Sequence, residues 1–109
     1  MTQLETIDAT LAERGKRYGE FEDHAAITQL FKRMTSRFLE DQNKPPLSAS
    51  QQESLDMIFH KIGRILNGDP NYADSWIDIA GYAKLVANEL TNEQNRKEAD
   101  DSVQSNIPF

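Results

Sequence analysis

The strongest candidates for chemistry lie on two predicted helices that are joined by a tight turn. Acidic and basic side chains recur there at helical spacing: Glu53, Asp56, His60 and Arg64 on the first helix, and Asp74 and Asp78 on the second. Hard divalent cations prefer carboxylate oxygens, and the phosphate oxygens of a substrate can complete their coordination shell. A cation held in this way can orient a water for attack on a phosphoanhydride. The pattern therefore indicates either a metal-assisted phosphate site or a solvated face with ion pairs.

The second helix carries a glycine, Gly81, on the same face as its two aspartates. A glycine in a helix interior costs about 1 kcal/mol relative to alanine, so this position indicates close packing against a backbone or a ligand. A carboxylate on a covered face needs a partner, because its burial alone is costly. For Asp74 and Asp78 the partner is either a basic side chain, Lys61 or Arg64, or a metal ion.

A second candidate element is the segment 14–19, which we expect to form a loop after a helix that ends at Gly15. Four of its residues could contact a phosphate and stack on a base: Arg14, Lys16, Arg17 and Tyr18. The segment lacks the lysine–serine/threonine ending of a P-loop. A helix C-cap with cations near the helix dipole explains its beginning equally well, whereas its last two residues favour a binding role. His60 is a base, a substrate contact or a half-exposed polar residue, and His24 receives no role.

Four amphipathic helices must position these groups. Apolar residues recur at intervals of three and four along four stripes, namely Leu4, Ile7, Leu11; then Ile27, Leu30, Phe31, Met34, Phe38; then Leu55, Ile58, Phe59, Ile62, Leu66; then Trp76, Ile79, Ala83, Val86, Leu90. A capping box at residues 50–53 opens the third helix, and Asp69-Pro70 starts the fourth. No strand-like alternation is present, so we predict an all-α fold, a small four-helix bundle. We expect residues 1–90 to form its single domain and the polar residues 91–109 to form a flexible tail.

Composition limits the classes of partner. The chain has 109 residues and a formal net charge of −6, with 18 acidic and 12 basic side chains, which argues against nonspecific nucleic-acid binding. The charge is compatible with metal-assisted nucleotide binding, and with an acidic inhibitor of a host protein. A hydrophobic fraction of 38% is lean for a small domain, so we expect a homo-oligomer, a dimer or higher. The chain contains neither cysteine nor a membrane-spanning apolar run, so we expect no membrane and a cytoplasmic location.

Two blocks of the sequence resemble a small family of uncharacterised phage and prophage proteins: LAERGKRYGEF and HKIGRILNGDPNYADSWIDIAGYAKL. The resemblance covers nearly all of residues 11–90. The pattern Asp56-x-Ile58-x-x-Lys61-x-x-Arg64-Ile65, followed by Asp74-x-x-x-Asp78-Ile79-x-x-Tyr82, is distantly similar to the nucleotide-modification-associated domain of phages. That domain is in turn similar to the MazG-like all-α nucleoside triphosphate pyrophosphohydrolases. Their two magnesium-binding motifs, Glu-x-x-Glu and Glu-x-x-Asp, read here as Glu53-x-x-Asp56 and the longer Asp74-x-x-x-Asp78.

The resemblance implies a magnesium-dependent nucleoside triphosphate pyrophosphohydrolase that acts in the host cytoplasm. Asp56, Asp74 and Asp78 would bind Mg²⁺, and the catalytic residues would be Glu53, Asp56 and Asp78. The substrate contacts would be Arg14, Lys16, Arg17, Tyr18, His60, Lys61 and Arg64. The altered spacing of the carboxylates also suits a non-catalytic protein that binds and sequesters a nucleotide without a metal.

Overall fold

The computed structural model describes residues 2–105, which fold into four α-helices without a strand. The helices are α1 (Gln3–Tyr18), α2 (Phe21–Asp41), α3 (Ala49–Asn67) and α4 (Ala73–Ser105). α3 packs antiparallel against α2 on one side and against α4 on the other, and α1 contacts α2 and α3. The all-α, four-helix architecture predicted from the sequence is thereby confirmed. Within residues 2–105 no helix is both long and apolar enough to cross a membrane.

α1 does not end at Gly15, as the sequence predicts, but continues to Tyr18. A capping box between Thr2 and Glu5 starts the helix. It ends where Gly19 adopts a φ of 81°, a left-handed value that favours glycine. A side chain at Gly15 would meet no other atom within 4 Å, so nothing in the packing interrupts the helix there. Residues 14–18 are therefore the last turn of α1 rather than a loop.

α3 and α4 also differ from the predicted boundaries. The cap of α3 is Ser48, which forms a capping box with Gln51. Asp69 does not cap α4, because its carboxylate accepts a 2.9 Å hydrogen bond from the backbone N–H of Asn71 in a turn that precedes the helix. At its other end α4 runs to Ser105. Residues 91–105 of the predicted polar tail are thus helical, and residues 106–109 lie outside the described part of the chain.

Small and polar residues make the closest contacts between the helices, beside one stacked pair of rings, Phe31 of α2 and Phe59 of α3, whose centres are 5.5 Å apart. No apolar residue is buried among residues 2–101, and the buried polar ones are His24, Thr28, Ser54, Lys61 and Ser75. On α3, Gly63 lies against His24 and Thr28 of α2, and a Cβ at Gly63 would come within 2.9 Å of both side chains. On the other side of α3, the hydroxyl of Ser54 donates a 2.8 Å hydrogen bond to the carbonyl of Tyr82 in α4. The helices therefore approach closely but enclose little apolar surface.

Much of the predicted apolar stripes on α1, α2 and α4 remains exposed, whereas the stripe on α3 is half-buried except at Leu66. The sequence places Trp76 and Leu90 of α4 in the core, but they are 54% and 43% exposed, so this burial is wrong for the single chain. The reason is that α4 contacts α3 through the face that carries Ser75, Asp78 and Tyr82. The chain is correspondingly extended, with a radius of gyration of 20.4 Å, against about 13 Å for a compact domain of this length.

The turn that follows α1 and the turn that follows α3 contact each other, and this contact, which we call the crossing, fixes the C-terminal end of α1. The side-chain amide of Asn67 donates hydrogen bonds to the carbonyls of Tyr18 (3.1 Å) and Glu20 (2.8 Å). Two glycines, Gly19 and Gly68, allow the turns to touch, because a Cβ on either would overlap atoms of the opposite turn. All residues from 2 to 14 are exposed. α1 therefore extends from this crossing as one wall of a cleft.

Candidate functional site

A cleft of about 880 Å³ lies between α1, the first turn of α2 and the C-terminal half of α3. Its polar lining residues are Arg14, Lys16, Glu20, His24, His60 and Arg64, and its larger apolar and aromatic ones are Leu11, Tyr18 and Phe21. The structure therefore brings together several residues that the sequence predicts as substrate contacts: Arg14, Lys16, Tyr18, His60 and Arg64. The volume is within the range of small-molecule sites, about 300–1,000 Å³.

The cleft is cationic although the chain as a whole is acidic. Three basic side chains line it, those of Arg14, Lys16 and Arg64, against the single carboxylate of Glu20, in a chain of net charge −6. Like charges gathered in a small volume repel one another, and the repulsion is relieved by an anion. The charge of the cleft therefore suits a small anionic molecule.

Arg64 is positioned by an aromatic ring rather than by a carboxylate. Its guanidinium carbon lies 4.2 Å from the centre of the Tyr18 ring, and the residue is half-buried. Within the described part of the chain, the guanidinium N–H groups of Arg64 form no hydrogen bond or ion pair. Because the stacking fixes the plane of these donors, they are available for a bidentate contact with a phosphate or carboxylate.

Two histidines lie side by side in the cleft. The Nε2 atom of His24 and the Nδ1 atom of His60 are 3.1 Å apart with the rings edge to face, so one nitrogen donates a hydrogen bond to the other. Burial first, and then the positive charge of Arg64, lowers the pKa of His60 to about 4. The same two causes, in the same order, lower the pKa of His24. His60 is therefore neutral at pH 7 and adds no charge to the cleft.

Arg17 does not line the cleft, although the sequence predicts it as a substrate contact. Its guanidinium carbon lies 4.3 Å from the centre of the Tyr72 ring and one of its N–H groups donates a 3.0 Å hydrogen bond to the Tyr72 hydroxyl. That hydroxyl donates in turn to the carboxylate of Asp74 at 2.8 Å. The backbone carbonyl of Arg17 also accepts a 2.8 Å hydrogen bond from the N–H of Asp69. These contacts fasten the end of α1 to the turn before α4.

The predicted acidic residues have separate partners. Asp78 forms a 2.9 Å ion pair with Lys61, whose side chain is almost fully buried. Asp56 accepts a 2.9 Å hydrogen bond from the side-chain amide of Gln52, and Glu53 is exposed. Among the described residues, no three histidine, aspartate or glutamate side chains are grouped so that they could hold a metal ion. The magnesium site and the catalytic roles of the carboxylates therefore stay predictions.

Gly81 has no close neighbour, contrary to its interpretation from the sequence. A Cβ at this position would meet no atom within 4 Å, and the residue is exposed. The glycine of α3 that does mark a close approach is Gly63, which lies against His24 and Thr28.

Among the polar and aromatic residues of the cleft, three could not be identified from the sequence: Glu20, Phe21 and His24. The available signal for His24 was Gly63 in the interior of α3. A glycine there is unfavourable for the helix unless something packs against it, and α2 supplies His24 and Thr28 one turn apart. No comparable signal marks Glu20 or Phe21, because they reach the cleft through the turn that follows α1.

A comparison with protein families matches residues 3–90 to the family described as "Domain of unknown function (DUF6378)". The match covers most of the chain, so the chain belongs to this family. It includes every residue that lines the cleft and excludes α4 beyond residue 90. No curated protein and no solved structure gives a significant match.

Proposed function

We propose that this member of the DUF6378 family is a nucleotide-binding protein whose cleft receives the phosphate groups. The observation that carries the proposal is a cationic cleft on an acidic chain, which is lined by three basic side chains and one carboxylate. A ligand that bears phosphate supplies the negative charge that the cleft lacks.

The polar residues of the cleft would divide the recognition of phosphate between them. Arg64 would contact two phosphate oxygens at once, since Tyr18 holds its guanidinium plane. Arg14 and Lys16, from the end of α1, would add positive charge. His60, which is neutral, would exchange a hydrogen bond with an oxygen without adding charge.

The nucleobase would stack on Phe21 rather than on Tyr18, because Arg64 already covers one face of the tyrosine ring. Phe21 lines the cleft, is 77% exposed and stacks on the imidazole of His24 with ring centres 6.3 Å apart. Stacking of a base on an aromatic side chain contributes about 1–3 kcal/mol and tolerates any base. The sequence-based role of Tyr18 beside the base is therefore replaced by a role in holding Arg64.

Magnesium-dependent hydrolysis, which the resemblance implies, is the second form of this proposal. It requires a cation near Asp56, Asp74 and Asp78, and each of these carboxylates already has another partner in the chain. A cation at Asp78 would have to displace Lys61. These contacts favour a protein that binds and sequesters a nucleotide over a pyrophosphohydrolase. An acidic inhibitor of a host protein is a third form, which gives the cleft no role.

We also propose that the binding protein is a homo-oligomer. No apolar side chain is buried in the part of the chain whose side chains are described, and burial of apolar surface is the main favourable term in folding. Association of identical chains is the commonest way to supply such burial.

The experiment is a panel of nucleoside mono-, di- and triphosphates incubated with the protein, in magnesium and in EDTA. Calorimetry measures binding and chromatography measures conversion. We expect binding that survives EDTA, with no conversion of the nucleotide. Magnesium-dependent formation of a monophosphate would support the hydrolase instead. No binding to any nucleotide would overturn the proposal and leave the inhibitor.

Two conservative variants test the role of Arg64. Arg64→Lys keeps the charge but removes the bidentate geometry and the stacking on Tyr18, so we expect the dissociation constant to rise about tenfold or more. The matched control is Arg37→Lys on α2, because Arg37 is exposed and its ion pair with Asp41 lies outside the cleft. Equal affinities of the two variants would show that the phosphate does not contact Arg64.

A further inference from the structure

The three helices α2, α3 and α4 form a layer with one apolar face. On α3, Ile62 and Leu66 follow His60 and Arg64 by two residues each, so at 100° per residue they lie on the opposite side of the helix from the cleft. The same 100° spacing, applied to α2 and α4, which run antiparallel to α3, places further apolar residues on that side of the layer. We call this surface the apolar face; its residues are Ile27, Leu30, Met34 and Phe38 of α2, Leu55, Ile62 and Leu66 of α3, and Trp76, Ala83 and Leu90 of α4.

The apolar face is uncovered in the single chain and has no charged residue at its centre, whereas Asp23 and Asp41 lie at its two ends on α2, where Asp41 pairs with the exposed Arg37. Its most exposed members are large side chains, including Met34 at 61% and Leu66 at 64%. Soluble monomers rarely expose contiguous apolar surface of more than a few hundred Å². Burial of the centre of this face against a second apolar surface therefore stabilises the layer, while the exposed Asp23 and Asp41 stay at its ends.

The total surface of the chain indicates how large the covering partner must be. The accessible surface is 8649 Å², whereas a compact monomer of 12.4 kDa exposes about 6,100 Å². The chain therefore exposes roughly 2,500 Å² more than expected. Residues 91–101 of α4, all of them exposed, account for part of this excess. The excess as a whole is larger than the about 800 Å² that each partner buries in a stable protein interface.

We infer that a second copy of this chain packs its own apolar face against this one, so that two three-helix layers enclose a shared core and the two clefts open outward on opposite sides. A second copy fits because the centre of the face is uncharged and its two aspartates lie at the ends, so two acidic chains can meet there with most of their charged residues kept apart. An isologous interface of this kind is closed and leaves no apolar edge. Each cleft is then complete within one chain, and this inference does not depend on which ligand the cleft binds.

The single tryptophan of the chain reports directly on this interface. Trp76 is 54% exposed in the isolated chain and lies on the apolar face. We expect sedimentation to show a dimer, and the emission of Trp76 to be shifted to the blue of the unfolded protein and poorly quenched by acrylamide. On dilution through the dissociation constant, the emission should shift to the red. A monomer at micromolar concentration, or a dimer in which Trp76 is as quenchable as in the unfolded protein, would overturn the inference.

A pair of charge insertions separates this face from the other exposed apolar stripe, on α1. Met34→Glu places a carboxylate in the proposed core, and we expect it to raise the dimer dissociation constant by on the order of 100-fold. Ile7→Glu makes the same kind of change on α1, at a residue 52% exposed, and we expect less than about a threefold effect. Loss of the dimer in Ile7→Glu but not in Met34→Glu would contradict the assignment of the face. If Met34→Glu does not fold, the emission of Trp76 in the unmodified protein decides.

Discussion

Two glycine-to-alanine substitutions in neighbouring helices should have opposite effects on stability. Gly63 of α3 faces the α2 side chains His24 and Thr28, and an added Cβ would lie 2.9 Å from both. Gly81 of α4 faces open space, because an added Cβ would meet nothing within 4 Å. Both residues lie inside helices, so both substitutions gain the same intrinsic helix propensity, about 1 kcal/mol.

The magnitude follows from how far the neighbours of Gly63 must move. Ordinary contacts of a Cβ begin near 3.4 Å, so the α2 side chains must retreat by about half an ångström. His24 is buried and hydrogen-bonded to His60, which leaves its ring little freedom to move. Overpacking of this kind costs about 1–3 kcal/mol, so Gly63→Ala should be neutral or destabilising by up to about 2 kcal/mol. Gly81→Ala should be stabilising by up to about 1 kcal/mol.

Urea unfolding followed by circular dichroism at one fixed protein concentration measures both variants. The concentration must be fixed because association contributes to the stability of an oligomer. We expect the free energy of unfolding to differ between the two variants by about 1–3 kcal/mol, with Gly81→Ala the more stable. Equal stabilisation by both substitutions would refute the close approach of α2 to α3 at Gly63. It would also remove the packing reason for the position of His24 in the cleft.

Three further predictions concern the charged residues of the site. Asp78→Asn should destabilise the fold by about 1–3 kcal/mol, because it leaves the buried ammonium of Lys61 without its carboxylate. The double variant that also carries Lys61→Met should regain most of this loss in the same unfolding assay. The folded pKa of His60, about 4, is below its unfolded value of 6.5, so the unfolded state binds more protons between these two pH values. The free energy of unfolding should therefore fall as the pH is lowered from 6.5 towards 4. His60→Gln should flatten this pH profile, measured by urea unfolding. Arg17→Lys, outside the cleft, should change nucleotide affinity measured by calorimetry less than about threefold, and a loss as large as that of Arg64→Lys would contradict the assignment of Arg17 to the contact with Tyr72.

The sequence was sufficient to predict the number and type of the helices, because their apolar residues recur at intervals of three and four. It was misleading about burial, since periodicity shows which face of a helix is apolar but not whether this chain or another covers it. Trp76 and Leu90 illustrate this: they lie on the edge of the expected α4 stripe that is turned away from α3, whereas Ile79 and Val86 of the same stripe are half-buried. Small residues such as Ser54 and Ser75 make the contact instead, and no apolar pattern marks them.

The candidate site likewise contains residues that could be identified from the sequence and contacts that could not. The basic residues Arg14, Lys16 and Arg64 could be selected from the sequence because charge and spacing are visible there, and the structure brings them together. Their partners could not be selected in the same way. Lys61 faces Asp78 on the α4 side of α3, whereas Arg64 on the next turn faces Tyr18 in the cleft. Residues three apart differ by only about 60° around a helix, and the packing of α1 and α4 decides that one of these two neighbours faces α4 and the other faces the cleft.

The attachment of α1 by one end affects how the cleft responds to a ligand. The hydrogen bonds and ring contacts that tie this helix to the other helices lie at residues 17 and 18, while residues 2–14 are exposed. The amide hydrogens in the first turns of α1 should therefore exchange with deuterated solvent through local opening, long before those of α3. A ligand that bridges Arg14 on α1 and Arg64 on α3 must restrict this motion. Part of its binding enthalpy is thereby offset by lost conformational entropy, and slower exchange in α1 would record that ordering residue by residue.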